Sequence, residues 1–114
     1  MDNHVTILGL VSREPTFYDE EKPRLKMVVK LHREWISKRD NESRSKDSYF
    51  DVVCFGALAL GCKELRYGDE ILLTGKLNQR TIQSDDGNKH SLMEIAADHV
   101  GLSLTRADLR DDVG

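Results

Sequence analysis

The sequence predicts an all-β protein, folded as a closed barrel of five strands with one short helix between the third strand and the fourth. Two observations lead to this fold class. Apolar and polar side chains alternate along several segments, which is the period of a half-buried β-strand. Clusters of Gly, Pro, Asn, Asp and Ser separate these segments, and only a single stretch has helical spacing.

The first strand is predicted at residues 4–11, HVTILGLV, where Gly9 favours a bend or a bulge. Residues 12–24, SREPTFYDEEKPR, hold both prolines of the chain and are therefore predicted to form a loop. The second strand is expected to begin directly after this loop.

That second strand covers residues 25–35, LKMVVKLHREW, and alternates well. From Leu25 to Leu31 every second side chain is apolar, whereas the other face carries Lys26 and Lys30. This pattern indicates a half-buried strand with a basic outer face. Residues 36–47, ISKRDNESRSKD, are polar and charged, and are predicted to form a mobile loop that caps a long hairpin.

The third strand, residues 49–55 with the sequence YFDVVCF, is apolar on both faces. A strand that covers a core needs only one apolar face. Phe50, Val52 and Cys54 are expected to close the barrel, so the opposite face, with Tyr49, Val53 and Phe55, is predicted to serve a ligand or a sister subunit. Asp51 interrupts that second face, and either a neighbouring Lys or Arg pairs with it or a partner subunit covers it.

Residues 57–68, ALALGCKELRYG, are predicted to form a single short helix that Gly68 ends. A fourth strand follows at 69–77, DEILLTGKL, and residues 78–83 continue it after a bend that Gly75 favours.

The last strand is predicted at residues 90–104, with a bulge near residues 96–97. Residues 84–88, SDDGN, precede it as a turn, and their Asp-Gly pair is a strong hairpin signal. We therefore expect one folded domain at residues 1–104 and a polar, frayed tail at residues 105–114.

Five strands of this kind, left as an open sheet, expose two long edges that promote aggregation. Closure into a small Greek-key barrel removes both edges. The order of three strands, one helix and two strands fits the OB type of barrel, in which the helix plugs the barrel between strands 3 and 4.

The charge of the chain is unevenly distributed. The whole chain of 114 residues carries a net charge of −3, yet residues 24–46 hold eight Lys or Arg against three acidic residues. A basic arm on an acidic body is typical of proteins that bind a polyanion. The alternative is a solvated, charged hairpin without a ligand.

Other function classes lack support in the sequence. No apolar run reaches the ~20 residues of a membrane helix, and the start lacks the features of a signal peptide, so a cytoplasmic protein is expected. Cys54 and Cys62 are then predicted to be reduced thiols. The histidines show neither HxH nor HExxH spacing, and no Walker-type loop or nucleophile elbow is present. We expect a protein that is not an enzyme and has no cofactor or metal.

Several segments taken together resemble the bacterial single-stranded-DNA-binding protein (SSB) family. They are VTILGLVSREP (5–15), LHREW (31–35), YFDVVCFGALA (49–59), YGDEILLTGKLNQRTI (67–82) and DGNKHSLMEIAADHV (86–100). The resemblance runs in collinear order to about residue 104. It implies an OB-fold protomer that assembles as a homotetramer, with single-stranded DNA wrapped over its surface.

In that family aromatic side chains stack on bases, and the resemblance places this role on Trp35, Tyr49 and Phe55. Tyr49 stands where a tryptophan is common and keeps a flat π face. Ile82 stands where another aromatic is frequent, and an Ile cannot stack. For Trp35 the alternative is a core position, whereas for the Tyr49–Phe55 face it is a contact with another subunit.

The cations of the basic arm and of the fourth strand, together with the one just before the fifth strand, are the candidates for phosphate contacts. They are Lys26, Lys30, Arg33, Lys38, Arg39, Arg44, Lys46, Lys76, Arg80 and Lys89. Stacking on any base together with phosphate contacts gives binding that does not depend on sequence.

The predicted function is thus protection of single-stranded DNA in replication, repair or recombination, by a cytoplasmic, nucleoid-associated protein. The alternative is an OB-fold accessory protein of primosome type whose main ligand is another protein. Typical family members continue into an acidic tip that recruits replication and repair proteins. This chain stops at RADLRDDVG, so that role is not carried over, whether a tail was removed or is naturally absent.

Overall fold

The computed structural model describes residues 3–104, which form a β-barrel with two projecting hairpins. The strands and the helix, in chain order, are β1 (His4–Val11), β2 (Thr16–Tyr18), β3 (Arg24–Ile36), β4 (Ser43–Phe55), α1 (Ala57–Gly61), β5 (Glu70–Gln83) and β6 (Lys89–Leu102). The tail predicted at residues 105–114 lies outside the described residues.

Five of the strands close into a barrel. Neighbours pair in the order β1-β5-β6-β4-β3, and a pairing of β1 with β3 at Leu10–Lys30 and Val11–Val29 completes the circle. All pairings are antiparallel except β4 with β6, which run parallel over Asp51–Val53 and Glu94–Ala96. This arrangement, with the helix between β4 and β5, is the OB barrel, and it confirms the predicted fold class.

The strand β2 was not expected from the sequence, because the segment that contains it has both prolines. Thr16–Tyr18 pairs with Arg24–Lys26 at the outer edge of β3. Pro15 and Pro23 flank this pairing rather than interrupt it, and a β-branched residue with two aromatics suits a strand. The prediction of an unbroken loop over residues 12–24 was therefore wrong.

Half of the polar segment 36–47, predicted to be a mobile loop, belongs to strands. β3 and β4 pair without interruption out to Ile36–Ser43. Only six residues form the turn, which is closed by hydrogen bonds from Ser37 N to Glu42 O (2.9 Å) and from Asn41 N to Ser37 O (2.8 Å). Residues 31–36 and 43–48, which we call the β3–β4 ribbon, extend past the pairing with β1 and β6. Apart from Leu31, Trp35 and Ile36 its side chains are polar or charged, so the sequence lacks the apolar period that marks a strand.

The helix is shorter than predicted. α1 ends at Gly61, a 3₁₀ turn follows at Cys62–Glu64, and Leu65 is already extended. The chain must return to the barrel at this point, where Gly68 N donates a hydrogen bond to Val11 O (2.8 Å). This early exit, together with the low helix propensity of Gly61, limits the helix to five residues.

The core fills the barrel with side chains from each of its five strands and from the helical segment. Its buried members are Ile7, Val11, Leu25, Met27, Val29, Val52, Cys54, Ala59, Cys62, Ile71, Leu73 and Ile95. The prediction that alternate residues from Leu25 face inwards is confirmed, as is burial of Val52 and Cys54 on the inner face of β4. Both cysteines are free thiols, as predicted.

Two glycines let strands approach closely. At Gly9 a Cβ atom would lie 2.7 Å from a Val29 methyl and 2.8 Å from Lys30 O, so the missing side chain lets β3 pack closely against β1. The pairing of β1 with β5 is unbroken at Gly9, so the predicted bend or bulge is absent there. At Gly75 the register with β6 shifts, because Gly75 pairs with Ala97 whereas Thr74 pairs with His99. Asp98 is the extra residue of this bulge, close to the predicted position.

The β5–β6 hairpin forms a second projecting ribbon. Its turn spans the predicted residues 84–88 and is closed by hydrogen bonds between Ser84 and Asn88, with Gly87 at φ 87°. Within residues 3–104, no helix has the length and apolar character needed to cross a membrane.

Candidate nucleic-acid interface

The two faces of the β3–β4 ribbon differ in charge. Residues that are directly paired across two strands share a face, and the register pairs Arg33 with Lys46 and Trp35 with Arg44. One face therefore gathers Trp35 and three cations. Within the barrel, the same face of these strands carries the core side chains Met27 and Val29.

Trp35 lies outside the core, with 41% of its surface exposed. The guanidinium carbon of Arg33 is 5.6 Å from the centre of the indole ring, within the range of a cation–π contact. The alternative of a core tryptophan is therefore wrong, because the ribbon carries Trp35 past the end of the barrel. The sequence placed Trp35 beside the basic outer face of β3, whereas the register puts it on the opposite face.

Two further predicted cations, Lys38 and Arg39, lie in the turn of the ribbon next to this basic face. Arg44 forms an ion pair with Asp40, four residues away. The hydrogen bond that Asp40 accepts from Glu42 N, together with those from Arg44 and Ser37, holds the pKa of Asp40 below its usual value. This carboxylate therefore offsets part of the local positive charge.

The other face of the ribbon carries a histidine between two carboxylates. His32 Nδ1 lies 2.5 Å from Asp47 Oδ1, and His32 Nε2 lies 3.0 Å from Glu34 Oε1. The hydrogen bond to Asp47, then that to Glu34, raises the pKa of His32, and the same contact with His32 lowers the pKa of Asp47. Both carboxylates disfavour phosphate, so this face is less suited to DNA than the face with Trp35.

We expect His32 to titrate above its ordinary pKa of 6.5 in a histidine NMR titration. The stability that a raised pKa contributes is present in full below pH 6.5 and is lost as the pH rises through the folded-state value. The depressed pKa of Asp47 contributes above pH 3.8 and is lost on acidification, so the pair stabilises the ribbon most between these limits. The variant Asp47→Asn should lower the His32 midpoint; a midpoint at or below 6.5 in the unmodified protein would contradict the described contact.

Tyr49 and Phe55 share the outer face of the barrel, opposite to the face of Trp35. Their exposed fractions are 60% and 45%, and Lys30 and Arg24 are their direct partners on β3. Lys22 Nζ lies 5.5 Å from the centre of the Phe55 ring. Val53, predicted to be part of this exposed face, is instead buried. The three predicted aromatics are thus exposed but do not form one surface.

Asp51 lies on the same outer face, in a cleft of about 290 Å³. The cleft is lined by Arg13, Glu14, Thr16, Tyr18, Lys26, Met27, Val28, Asp51, Val52 and Glu94. Asp51 is directly opposite Val28, with Lys26 and Lys30 as its diagonal neighbours on β3. Among the described residues no ion pair within 4.0 Å forms at Asp51, so the predicted pairing with a Lys or Arg is absent there.

A smaller cleft of about 170 Å³ adjoins Tyr49 and contains an aromatic side chain that the sequence did not single out. It is lined by Leu10, Val11, Ser12, Lys30, Tyr49, Tyr67 and Gly68. Tyr67 is 69% exposed. Its position after the helix gave no periodic signal, because it lies in the connection to β5.

The remaining predicted cations lie on the second ribbon. Lys76 is exposed on β5, and Lys89 is exposed at the start of β6. Arg80 and Ile82 lie in β5, opposite Leu92 and His90, and their side chains are outside the described part of the structure. These positions lie on β5 and β6, not on the strands that carry Trp35 and its neighbouring cations. Within residues 3–104, no set of three His, Cys, Asp or Glu side chains is placed to hold a metal ion.

Comparisons with known proteins agree with the fold and with the sequence resemblance. The model of the single-strand binding protein family matches residues 2–103. A single-stranded DNA-binding protein of Deinococcus radiodurans is 31% identical over 101 residues, which cover 86% of this chain and 33% of that protein. The chain thus spans about a third of the length of this relative.

Solved structures share the architecture at lower sequence identity. The small single-stranded DNA-binding protein of Streptomyces coelicolor superimposes with a TM-score of 0.78 at 21% identity, over 92% of this chain and 97% of the other. The SSB of Plasmodium falciparum, solved in complex with single-stranded DNA, gives a TM-score of 0.76 at 20% identity, over 88% and 91% of the two chains. At these identities the likeness supports the shared fold.

Proposed function

The chain belongs to the single-strand binding protein family, and from this membership we propose that it binds single-stranded DNA without reading its sequence. The observation that carries the proposal is the gathering of an exposed tryptophan with Arg33, Arg44 and Lys46 on one face of the β3–β4 ribbon. A flat ring beside several cations, without a fixed pattern of hydrogen-bond donors and acceptors, suits any base.

The DNA contacts divide into stacking and charge. Trp35, Tyr49 and Phe55 are the proposed stacking residues, each worth about 1–3 kcal/mol in related interfaces. The phosphate contacts are proposed for the cations predicted from the sequence, with those of the ribbon at the centre. Because Asp51 and Glu94 occupy the β4–β6 side of the outer face, we expect the phosphates to follow Lys26 and Lys30 on β3.

The placement of aromatics on both faces of the hairpin constrains the path of the DNA. Single-stranded DNA that runs straight along one face reaches either Trp35 or Tyr49. DNA that contacts both residues must bend around the edge of the ribbon, and among the described residues no further β-strand is paired to that edge. Wrapping of this kind fits the family, in which DNA winds over the protein.

We propose a homotetramer, a non-catalytic role in replication, repair or recombination, and a location at the nucleoid. Support for self-association comes from Leu8 and Leu72, which are directly paired on the outer face of β1 and β5 with 53% and 50% of their surfaces exposed. This exposed apolar pair on a sheet face is the proposed place of a subunit contact. The primosome-type alternative is not favoured, because the relatives found are single-stranded DNA-binding proteins.

A titration with poly(dT) tests the proposal. Stacking of a base on Trp35 should quench the fluorescence of the only tryptophan in the chain. The affinity should fall as NaCl rises, by roughly 0.7 log units per decade of salt for each phosphate contact. Light scattering on the same samples gives the number of subunits.

Double-stranded DNA of the same length is the control, and it should bind far more weakly because its bases are already stacked. DNA binding would be refuted if micromolar poly(dT) changed neither the fluorescence spectrum of the tryptophan nor the mass measured by light scattering. A salt-independent signal would show that the cations of the ribbon do not contact phosphate.

A further inference from the structure

The cleft beside Tyr49 places two exposed tyrosines and a lysine around one small space. Tyr49 lies near the base of the β3–β4 ribbon and is directly opposite Lys30. Tyr67 lies in the connection between the helical segment and β5, far from Tyr49 in sequence. Both tyrosines and Lys30 line the same cleft of about 170 Å³.

The position of Tyr67 is held by backbone contacts. Gly68, at φ 89°, donates a hydrogen bond from its N–H to Val11 O (2.8 Å), which fixes the connection against the end of β1. Tyr67 N donates to Glu14 Oε1 at 3.2 Å. The ring is therefore presented from a constrained turn rather than from a free loop, which lowers the entropy lost when it contacts a ligand.

The dimensions and chemistry of this cleft suit a flat group with a nearby negative charge. Its volume is below the roughly 300–1,000 Å³ of pockets that enclose small molecules. A group inserted edge-on between two rings needs less space than an enclosed ligand. Lys30 supplies a point charge for a phosphate, and none of the residues that line the cleft is acidic.

We propose that Tyr49 and Tyr67 hold one nucleobase between them, with Lys30 on an adjoining phosphate. The inference rests on the proposed binding of single-stranded DNA and adds Tyr67 to the stacking residues. It gives the outer face a site for a base that is independent of Trp35, which lies on the opposite face of the hairpin.

A double-mutant cycle tests the shared base, with anisotropy of end-labelled oligo(dT) of about 16 nucleotides as the readout. Tyr67→Ala should weaken binding about fivefold to tenfold, and Tyr67→Phe should bind like the unmodified protein because the ring remains. Tyr49→Ala should cost a similar factor. The double variant should lose less than the product of the two single losses, because each ring stacks on the same base.

Leu60→Ala is the matched control, since Leu60 is a 50% exposed apolar residue that lines neither cleft, and its binding should be unchanged. Binding by Tyr67→Ala within twofold of the unmodified protein would overturn the proposal. So would losses that multiply fully in the double variant, since the rings would then contact different nucleotides. A change of oligomeric mass in Tyr67→Ala would assign the tyrosine to a subunit contact and would also overturn the proposal.

Failure of the unmodified protein to bind any single-stranded DNA would instead refute the proposed function itself.

Discussion

Gly75→Ala is expected to destabilise the protein by about 3 kcal/mol, because the added methyl group has no room at the bulge between β5 and β6. A Cβ atom at Gly75 would lie 2.3 Å from Ala96 O and 2.9 Å from Ala97 Cα. Both are backbone atoms of the paired strand, so no side-chain rotation relieves the clash. The strands must separate locally, which disturbs the barrel where β6 turns towards β4.

Gly61→Ala is the matched control for this loss. Gly61 has helical backbone angles, φ −65° and ψ −36°, and its Cβ would meet no atom within 4 Å. The same substitution should therefore be neutral or stabilise by about 0.5–1 kcal/mol. Urea unfolding gives the free energy of unfolding of each variant, and the two values can be compared if their m-values are equal. Equal stability of the two variants would contradict the close approach at Gly75.

Trp35→Ala should weaken binding of oligo(dT) by about 1–3 kcal/mol, which corresponds to about fivefold to 150-fold in Kd. The loss comes from the stacking surface and from the contact with Arg33, whose guanidinium carbon lies 5.6 Å from the ring centre. The melting temperature should change little, because Trp35 is exposed on a ribbon past the end of the barrel and is not part of the core. Anisotropy of labelled DNA is the suitable readout, since this variant has no tryptophan.

Ile36→Ala separates the loss of a stacking ring from the loss of any exposed apolar side chain. Ile36 is the next residue, is 65% exposed and lies on the opposite face of the ribbon. Its affinity should stay within about twofold of the unmodified protein, which is the ±0.5 kcal/mol of an ordinary surface change. If Trp35→Ala binds as tightly as Ile36→Ala, base stacking on the ribbon is wrong.

Most of the barrel is predictable from the sequence, because each of its strands buries one face. The alternation that begins at Leu25 marks β3, and the clustered apolar residues around Val52 mark β4. The ribbon is not predictable in this way. Beyond Leu31 neither face of the hairpin meets the core, so its pairing depends on backbone hydrogen bonds and cross-strand contacts such as that of His32 with Asp47.

The site is predictable in its residue types but not in its layout. Trp35, Tyr49 and the basic arm were identified from residue chemistry and family resemblance. Their distribution over two faces follows from the register between β3 and β4, which depends on the length of the turn at residues 37–42. Tyr67 was missed because its neighbour in the cleft, Tyr49, is close only in three dimensions.

The burial of both cysteines has a practical consequence for measuring the proposed binding of DNA. Cys54 and Cys62 are the only thiols of the chain and lie in the core. Their exposed fractions are 0% and 4%, so a maleimide cannot reach either thiol. A new cysteine at exposed Ser45, on the ribbon face away from Trp35, should therefore accept a maleimide dye selectively without removal of the native pair. In single-molecule recordings, the dye on the ribbon would then report the binding and the dissociation of individual DNA molecules.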